Sequence, residues 1–142
     1  FHGCMEIAKY FTHNVSHKNI EDLIKCKIDY VTCVPLSNER RKVRGYNQSE
    51  CFARSLSEKI GIPYKDFLVK IFDNPPQHEL SVNERVKNVC GMYRIINDSD
   101  IKGKNILICD DIITTGNTMK ECIKTMKING VNTVFCCTIA SA

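Results

Sequence analysis

Two adjacent carboxylates followed by a hydroxyl- and glycine-rich turn are the residues of this chain best equipped for chemistry. They lie in ILICDDIITTGNTM, residues 106–119. An apolar run ends at Cys109, Asp110 and Asp111 follow, then Ile112 and Ile113, then Thr114, Thr115, Gly116, Asn117 and Thr118. A turn that opens a helix offers unpaired backbone N–H groups and the positive end of the helix dipole, which together suit a phosphate. Carboxylates repel phosphate, but they accept hydrogen bonds from sugar hydroxyls beside it. The stretch therefore describes a ligand with a diol and a phosphate, a ribose 5-phosphate.

The elements that must hold these groups follow from hydrophobic patterning. A continuous apolar run over 106–109 bounded by a turn predicts a strand buried on both faces, as in a parallel sheet. Open α/β sheets bind ligands at the carboxyl ends of such strands. After Asn117, the apolar residues Met119, Cys122, Ile123, Met126 and Ile128 recur on one helical face, and Asn129-Gly130 ends it. A final buried strand is expected over 133–139. Strand, helix and strand make a βαβ unit with a right-handed crossover. The fold class is α/β.

Upstream, apolar steps of three and four predict helices over 5–11 and 20–24, with a break near 14–18. Residues 28–34, rich in β-branched side chains, predict a strand that Pro35 stops. A basic loop follows, with Arg40, Arg41, Lys42 and Arg44 within five positions, then Gly45, Tyr46 and Asn47. A charge run of this kind is ordinarily a solvated surface. Here it also lies at the carboxyl end of a buried strand, so it is a second candidate anion site. Residues 48–60 predict an amphipathic helix closed by Gly61. Strands are expected over 67–72 and 92–96. Between them, Asn74-Pro75-Pro76 breaks the chain, and Ser81 with Glu84 signals a short capped helix. This central excursion reads as a polar flap, more exposed than the rest.

Bulk properties narrow the function classes. With 142 residues the chain is one domain able to bury a core. Its 43% hydrophobic and 25% charged composition is that of an ordinary globular protein. No apolar run approaches the ~20 residues that span a bilayer, and no signal-peptide pattern opens the chain. The net charge of +4 suits an anionic ligand but is too weak to argue for nucleic acid. The nine cysteines are scattered without a C-x-x-C pair. They read as small buried hydrophobes in a reducing cytoplasm rather than as metal ligands or disulfides. His2, His13, His17 and His78 show no ligand spacing, and those near the amino end are expected to face solvent.

Other readings of the acid pair fit less well. G-x-x-x-x-G-K-[ST] is absent, which excludes a P-loop. G-x-G-x-x-G is absent too, and the acids precede the glycine turn, which excludes a dinucleotide fingerprint. A phosphoryl-accepting, Mg²⁺-binding acid pair would have no use for the TTGNT turn.

The stretch ILICDDIITTGNTM resembles the phosphoribosyl-pyrophosphate (PRPP) motif of type I phosphoribosyltransferases. Two further segments resemble the competence protein F (ComF, GntX-like) family: VPLSNERRKVRGYNQ, with Tyr46 in place of the usual Phe, and Gln77-x-x-Leu80 with Arg85, Asn88, Gly91 and Tyr93. Members commonly begin with a four-cysteine zinc-binding segment, which is missing here. Phe1-His2-Gly3 resembles the K-F-x-G that follows it. A trimmed chain and a zinc-less branch both account for this.

The resemblance implies a central, mainly parallel sheet flanked by helices, with a small hood at about 73–97. It implies Mg-dependent transfer of phosphoribose from PRPP to an unknown acceptor, with Asp110 and Asp111 as catalytic, ribose-binding residues. Ile113, Thr114, Thr115, Gly116, Asn117 and Thr118 would bind the 5-phosphate. Pro35, Leu36, Ser37, Arg40, Arg41 and Arg44 would meet pyrophosphate. Tyr46, Asn47, Gln77, Arg85 and Asn88 would serve the hood and acceptor. Mg²⁺ would arrive with PRPP, with Asp110 and Asp111 as the candidate protein contacts, since it rarely uses an all-protein cage. A cytoplasmic role in natural competence and DNA uptake is implied, with single-stranded DNA and a competence helicase as candidate partners. The alternatives are a PRPP-binding regulator without turnover and a DNA- or protein-binding competence accessory.

Overall fold

The structure is a computed structural model that describes residues 2–71, 91–96 and 98–141. Its centre is a parallel sheet ordered β1-β4-β5, formed by β1 (Tyr30–Cys33), β4 (Asn105–Ile113) and β5 (Thr133–Ser141). Tyr64 forms an isolated parallel bridge to Val31 on the far side of β1. A separate antiparallel pair joins β2 (Leu68–Lys70) to β3 (Tyr93–Ile95). Helices α1 (His2–His13) and α2 (His17–Lys25) precede the sheet, and Ser16 caps α2 by accepting the Asn19 N–H. Between β1 and β2 come α3 (Asn38–Arg44) and α4 (Gln48–Ile60), and α5 (Asn117–Ile128) connects β4 to β5.

β4 alternates between two cores, as a strand buried on both faces must. Ile106 and Ile108 pack with Met119, Cys122 and Met126 of α5 and with Phe67, Leu68, Tyr93 and Ile95. Leu107 and Cys109 face the other way, onto Val31, Cys33 and the α4 residues Phe52, Ala53 and Leu56. Each fully buried side chain of this size contributes about 2 kcal/mol. α1 is tied to the outer side of α4, where Thr12 and Ser55 share a 2.6 Å hydroxyl contact.

The predicted helices and strands all form where they can be inspected, with several corrections. The strand expected over 106–109 runs on to Ile113, so both acids belong to it. The basic stretch is not a loop: Ser37 caps it, accepting the Arg40 N–H, and Gly45 closes it with φ of 77°. Ile128 is 67% exposed and does not belong to the apolar face of α5, because at 100° per residue it lies on the side of the helix opposite Met119. β5 is half-buried rather than buried, since α5 and α2 cover only part of an outer strand. The base of the flap is not exposed: Phe67, Leu68, Tyr93 and Ile95 lie in the core. The expected helix near Ser81, with Gln77, Arg85 and Asn88, lies outside the described residues.

Cys33, Cys51, Cys109 and Cys122 are buried, as small hydrophobes would be, while Cys136 is exposed. Burial pushes the Cys33 thiol up to about 12, which keeps it protonated. His13 and His17 face solvent. Among the described residues there is no group of three acids, histidines or cysteines that could hold a metal. No described helix is long and apolar enough to cross a membrane.

Candidate functional site

The site begins where β1 stops. Val34 makes the last bond of the β1–β4 ladder, its N–H donating to the Cys109 carbonyl at 2.9 Å. Pro35 has no N–H and turns away. β4 continues for four residues, 110–113, still paired with β5 on its other side. The edge of that overhang is free of β1, and Asp110 and Asp111 sit on it.

In a parallel ladder the Val34 carbonyl would next take the Asp111 N–H. Instead the first residues of α4 step in. Asn47 donates its amide to the Val34 carbonyl at 3.0 Å, and the Asp111 N–H reaches Ser49 Oγ at 3.2 Å. Asn47 is also the N-cap of α4, its Oδ1 accepting the Ser49 N–H at 3.2 Å. The Ser49 hydroxyl meets Asp110 Oδ1 at 2.8 Å and Asp111 Oδ1 at 3.3 Å. Two backbone groups complete the arrangement: the Asp111 N–H to Asp110 Oδ1 at 3.0 Å and the Ile112 N–H to Asp111 Oδ1 at 2.9 Å. Burial pushes the Asp110 carboxyl up to about 6, against the pull of the Ser49 hydrogen bond.

A cleft of about 220 Å³ opens over these acids. It brings together Pro35, Leu36, Ser37, Arg40, Arg44, Asn47, Asp110, Asp111 and Thr118 from the expected set. Arg44 is oriented by a 2.8 Å bond from its Nη1 to Gln48 Oε1. Arg41 does not border the cleft; it pairs with Glu50 of α4 at 3.2 Å. Tyr46 is half-buried and does not line the cleft. Of the residues expected to hold the 5-phosphate, only Thr118 lines the cleft: Ile113 ends β4, Thr114, Thr115 and Gly116 form the turn, and Asn117 opens α5. Gly116 takes the left-handed backbone there, with φ of 72°. The first helical bond of α5 runs from the Lys120 N–H to the Gly116 carbonyl, so the preceding N–H groups remain outside the helix ladder.

Gln48, Ser49, Lys70 and Tyr93 also line the cleft, and sequence reasoning did not assign them to the site. Tyr93 comes from the core of the β2–β3 pair and lines the cleft together with Thr118. Ser49 had a readable signal. It lies three and seven residues before Phe52 and Leu56, a polar residue on the buried stripe of an amphipathic helix.

Comparison with known proteins bears on this geometry. Residues 47–142 match the phosphoribosyl transferase domain family. The DNA utilization protein YhgH of Salmonella typhi is 30% identical over 107 residues, covering 75% of this chain and 46% of its own. Competence protein F of Haemophilus influenzae is 30% identical over 103 residues, covering 71% of this chain and 45% of its own. The chain thus spans about half the length of these curated relatives. Among solved structures, a purine phosphoribosyltransferase from Pyrococcus horikoshii superposes with a TM-score of 0.57 at 20% identity, over 97% of this chain and 73% of that one. That likeness is one of fold, the type I phosphoribosyltransferase fold.

Proposed function

Because the chain belongs to the phosphoribosyl transferase domain family, we propose that its cleft binds PRPP and transfers phosphoribose to an acceptor with release of pyrophosphate. The observation that carries this reading is the meeting of three groups in one cleft. They are the acid pair on the β4 overhang, Thr118 in the first turn of α5, and Ser37 with Arg40 and Arg44 after β1.

In this reading Asp110 and Asp111 accept hydrogen bonds from the two ribose hydroxyls, and the turn over 113–118 holds the 5-phosphate with its N–H groups. Arg40 and Arg44 meet the pyrophosphate with charge-assisted bonds. As the bond from the anomeric carbon to pyrophosphate breaks, the acceptor's electron pair forms a new bond on the opposite face. This chemistry needs positioning and charge stabilisation rather than a covalent nucleophile. The donor set suits Mg²⁺ brought in by the substrate. Two adjacent carboxylates are available, Asp110 and Asp111, without a third acid close by among the described residues to complete a cage. Bound in this way, the ion would neutralise charge on the leaving group.

The names of the relatives, a competence protein and a DNA utilization protein, favour a setting in the handling of imported DNA. Cytoplasmic single-stranded DNA and a competence helicase are the partners this setting suggests.

Calorimetry of the purified chain with PRPP and Mg²⁺ tests the binding. Heat of binding is expected, and its absence at millimolar PRPP from a folded sample overturns the reading. A pyrophosphate-release screen across bases, nucleotides and single-stranded DNA then identifies the acceptor. Binding without release under every acceptor would make the protein a PRPP-responsive regulator.

A further inference from the structure

We infer that Ser49 is the positioning residue that sets the acid pair for recognition of a vicinal diol, by anchoring one oxygen of each carboxylate and leaving the other for the ligand. The inference rests on reading the cleft as a ribose-phosphate site.

Ser49 is 4% exposed and reaches from the first turn of α4 to β4, across 61 residues of sequence. It occupies the place that β1 would have filled had Pro35 not ended it, and takes the Asp111 N–H at 3.2 Å. Its single proton lies between Asp110 Oδ1 at 2.8 Å and Asp111 Oδ1 at 3.3 Å. The Asp111 and Ile112 N–H groups bond the same two oxygens. Each Oδ1 is therefore committed to the protein. These bonds all fall on the Oδ1 atoms, so Oδ2 of each acid is the oxygen proposed to meet the ligand. Two such acceptors on adjacent residues match two neighbouring hydroxyls, each of which brings one donor. Removing the shared hydroxyl leaves each carboxylate held by one backbone N–H and able to turn about it, while the turn over 113–118 and the arginines of α3 are untouched.

The test compares ribose 5-phosphate with 2-deoxyribose 5-phosphate on the full chain, by calorimetry. Wild type is expected to prefer the ribo sugar about tenfold, the scale of one hydrogen bond to a charged group. Ser49→Ala should weaken both sugars, the ribo sugar more because it loses two directed hydroxyl contacts and the deoxy sugar one, and so bring the ratio close to one. Ser49→Thr, which keeps the hydroxyl, should restore the preference. Ser49→Cys, similar in size with only a weak S–H donor, carries the same comparison if the alanine variant does not fold. A purely structural Ser49 would weaken both sugars alike, and an unaltered ratio overturns the inference. If wild type binds neither sugar phosphate nor PRPP, the reading of the cleft itself falls, a result distinct from an unaltered ratio.

Discussion

The Asn47 amide donates to the Val34 carbonyl at 3.0 Å, at the point where a continuing sheet would have supplied the Asp111 N–H. The same side chain caps α4 through Oδ1. One residue thus fixes the end of β1 against the start of the helix that carries Ser49. Asn47→Ala should cost about 2 kcal/mol, roughly 1 for the cap and 1 for the buried bond. Asn47→Asp keeps a cap acceptor and loses the amide donor, so it should recover no more than the cap. Urea denaturation of the three proteins measures this. An aspartate variant as stable as wild type would show that the Val34 bond contributes nothing.

Asp110 should make stability and binding respond in opposite directions. Burial raises its carboxyl from 3.8 in the unfolded chain to about 6 in the fold. Between these values the folded state binds more protons than the unfolded one. This contribution to stability is complete below 3.8, is lost as pH rises through about 6, and is flat above that. Asp110→Asn cannot ionise, so it should be more stable than wild type by about 1–2 kcal/mol near neutrality, with the gain vanishing near the unfolded value. The same variant replaces an acceptor-only group with a mixed one and should lower PRPP affinity at least about tenfold. Denaturation at pH values on either side of the window, with calorimetry at neutrality, checks both signs. A variant less stable than wild type at neutral pH would mean that the carboxylate is better compensated than its burial implies.

The arginines of α3 should separate by the direction they face. Arg40 and Arg44 border the cleft, whereas Arg41 is paired with Glu50. Arg40→Ala and Arg44→Ala should each weaken PRPP binding about tenfold at low salt, the scale of a charge-assisted bond, and less at high salt. Arg41→Ala should change affinity less than about twofold and stability by under 1 kcal/mol, as for an exposed ion pair. Titrations at two salt concentrations decide it. Equal losses from all three would point to a diffuse positive field instead of two directed contacts.

The parts of this molecule written in local pattern were legible before the structure. Continuous apolar runs located β1 and β4, and the three-to-four spacing with Gly61 located α4 from Gln48 to Ile60. The acid pair and the glycine turn announced their chemistry through residue type alone. Long-range substitution was not legible. Nothing local says that Ser49 and Asn47 complete a ladder that Pro35 interrupts, because that depends on how α4 crosses the end of β1. Nor does a charge run reveal which arginine turns inward; α3 had to form, capped by Ser37 and Gly45, before Arg41 could be separated from Arg40 and Arg44. The family resemblance makes Tyr93 an aromatic position of the hood segment, but its place in the cleft depends on β2–β3 packing into the core.

Gly116 tests the turn proposed to hold the 5-phosphate. Its φ of 72° places it in the left-handed region, where a side chain is strained whatever space surrounds it. Space itself is adequate: an added Cβ would meet only the Ile113 side chain, at 3.7 Å. The effect of Gly116→Ala should therefore be backbone strain of about 1–2 kcal/mol and not a clash. Relief of that strain would rotate the turn and misdirect the N–H groups ahead of α5, so PRPP and ribose 5-phosphate should both lose affinity. Gly116→Asn should be milder, since asparagine tolerates this conformation better than alanine. Thermal melts and calorimetry on the two variants read strain and binding separately. An alanine variant that is destabilised yet binds both ligands as wild type does would show that the 5-phosphate is held elsewhere than at this turn.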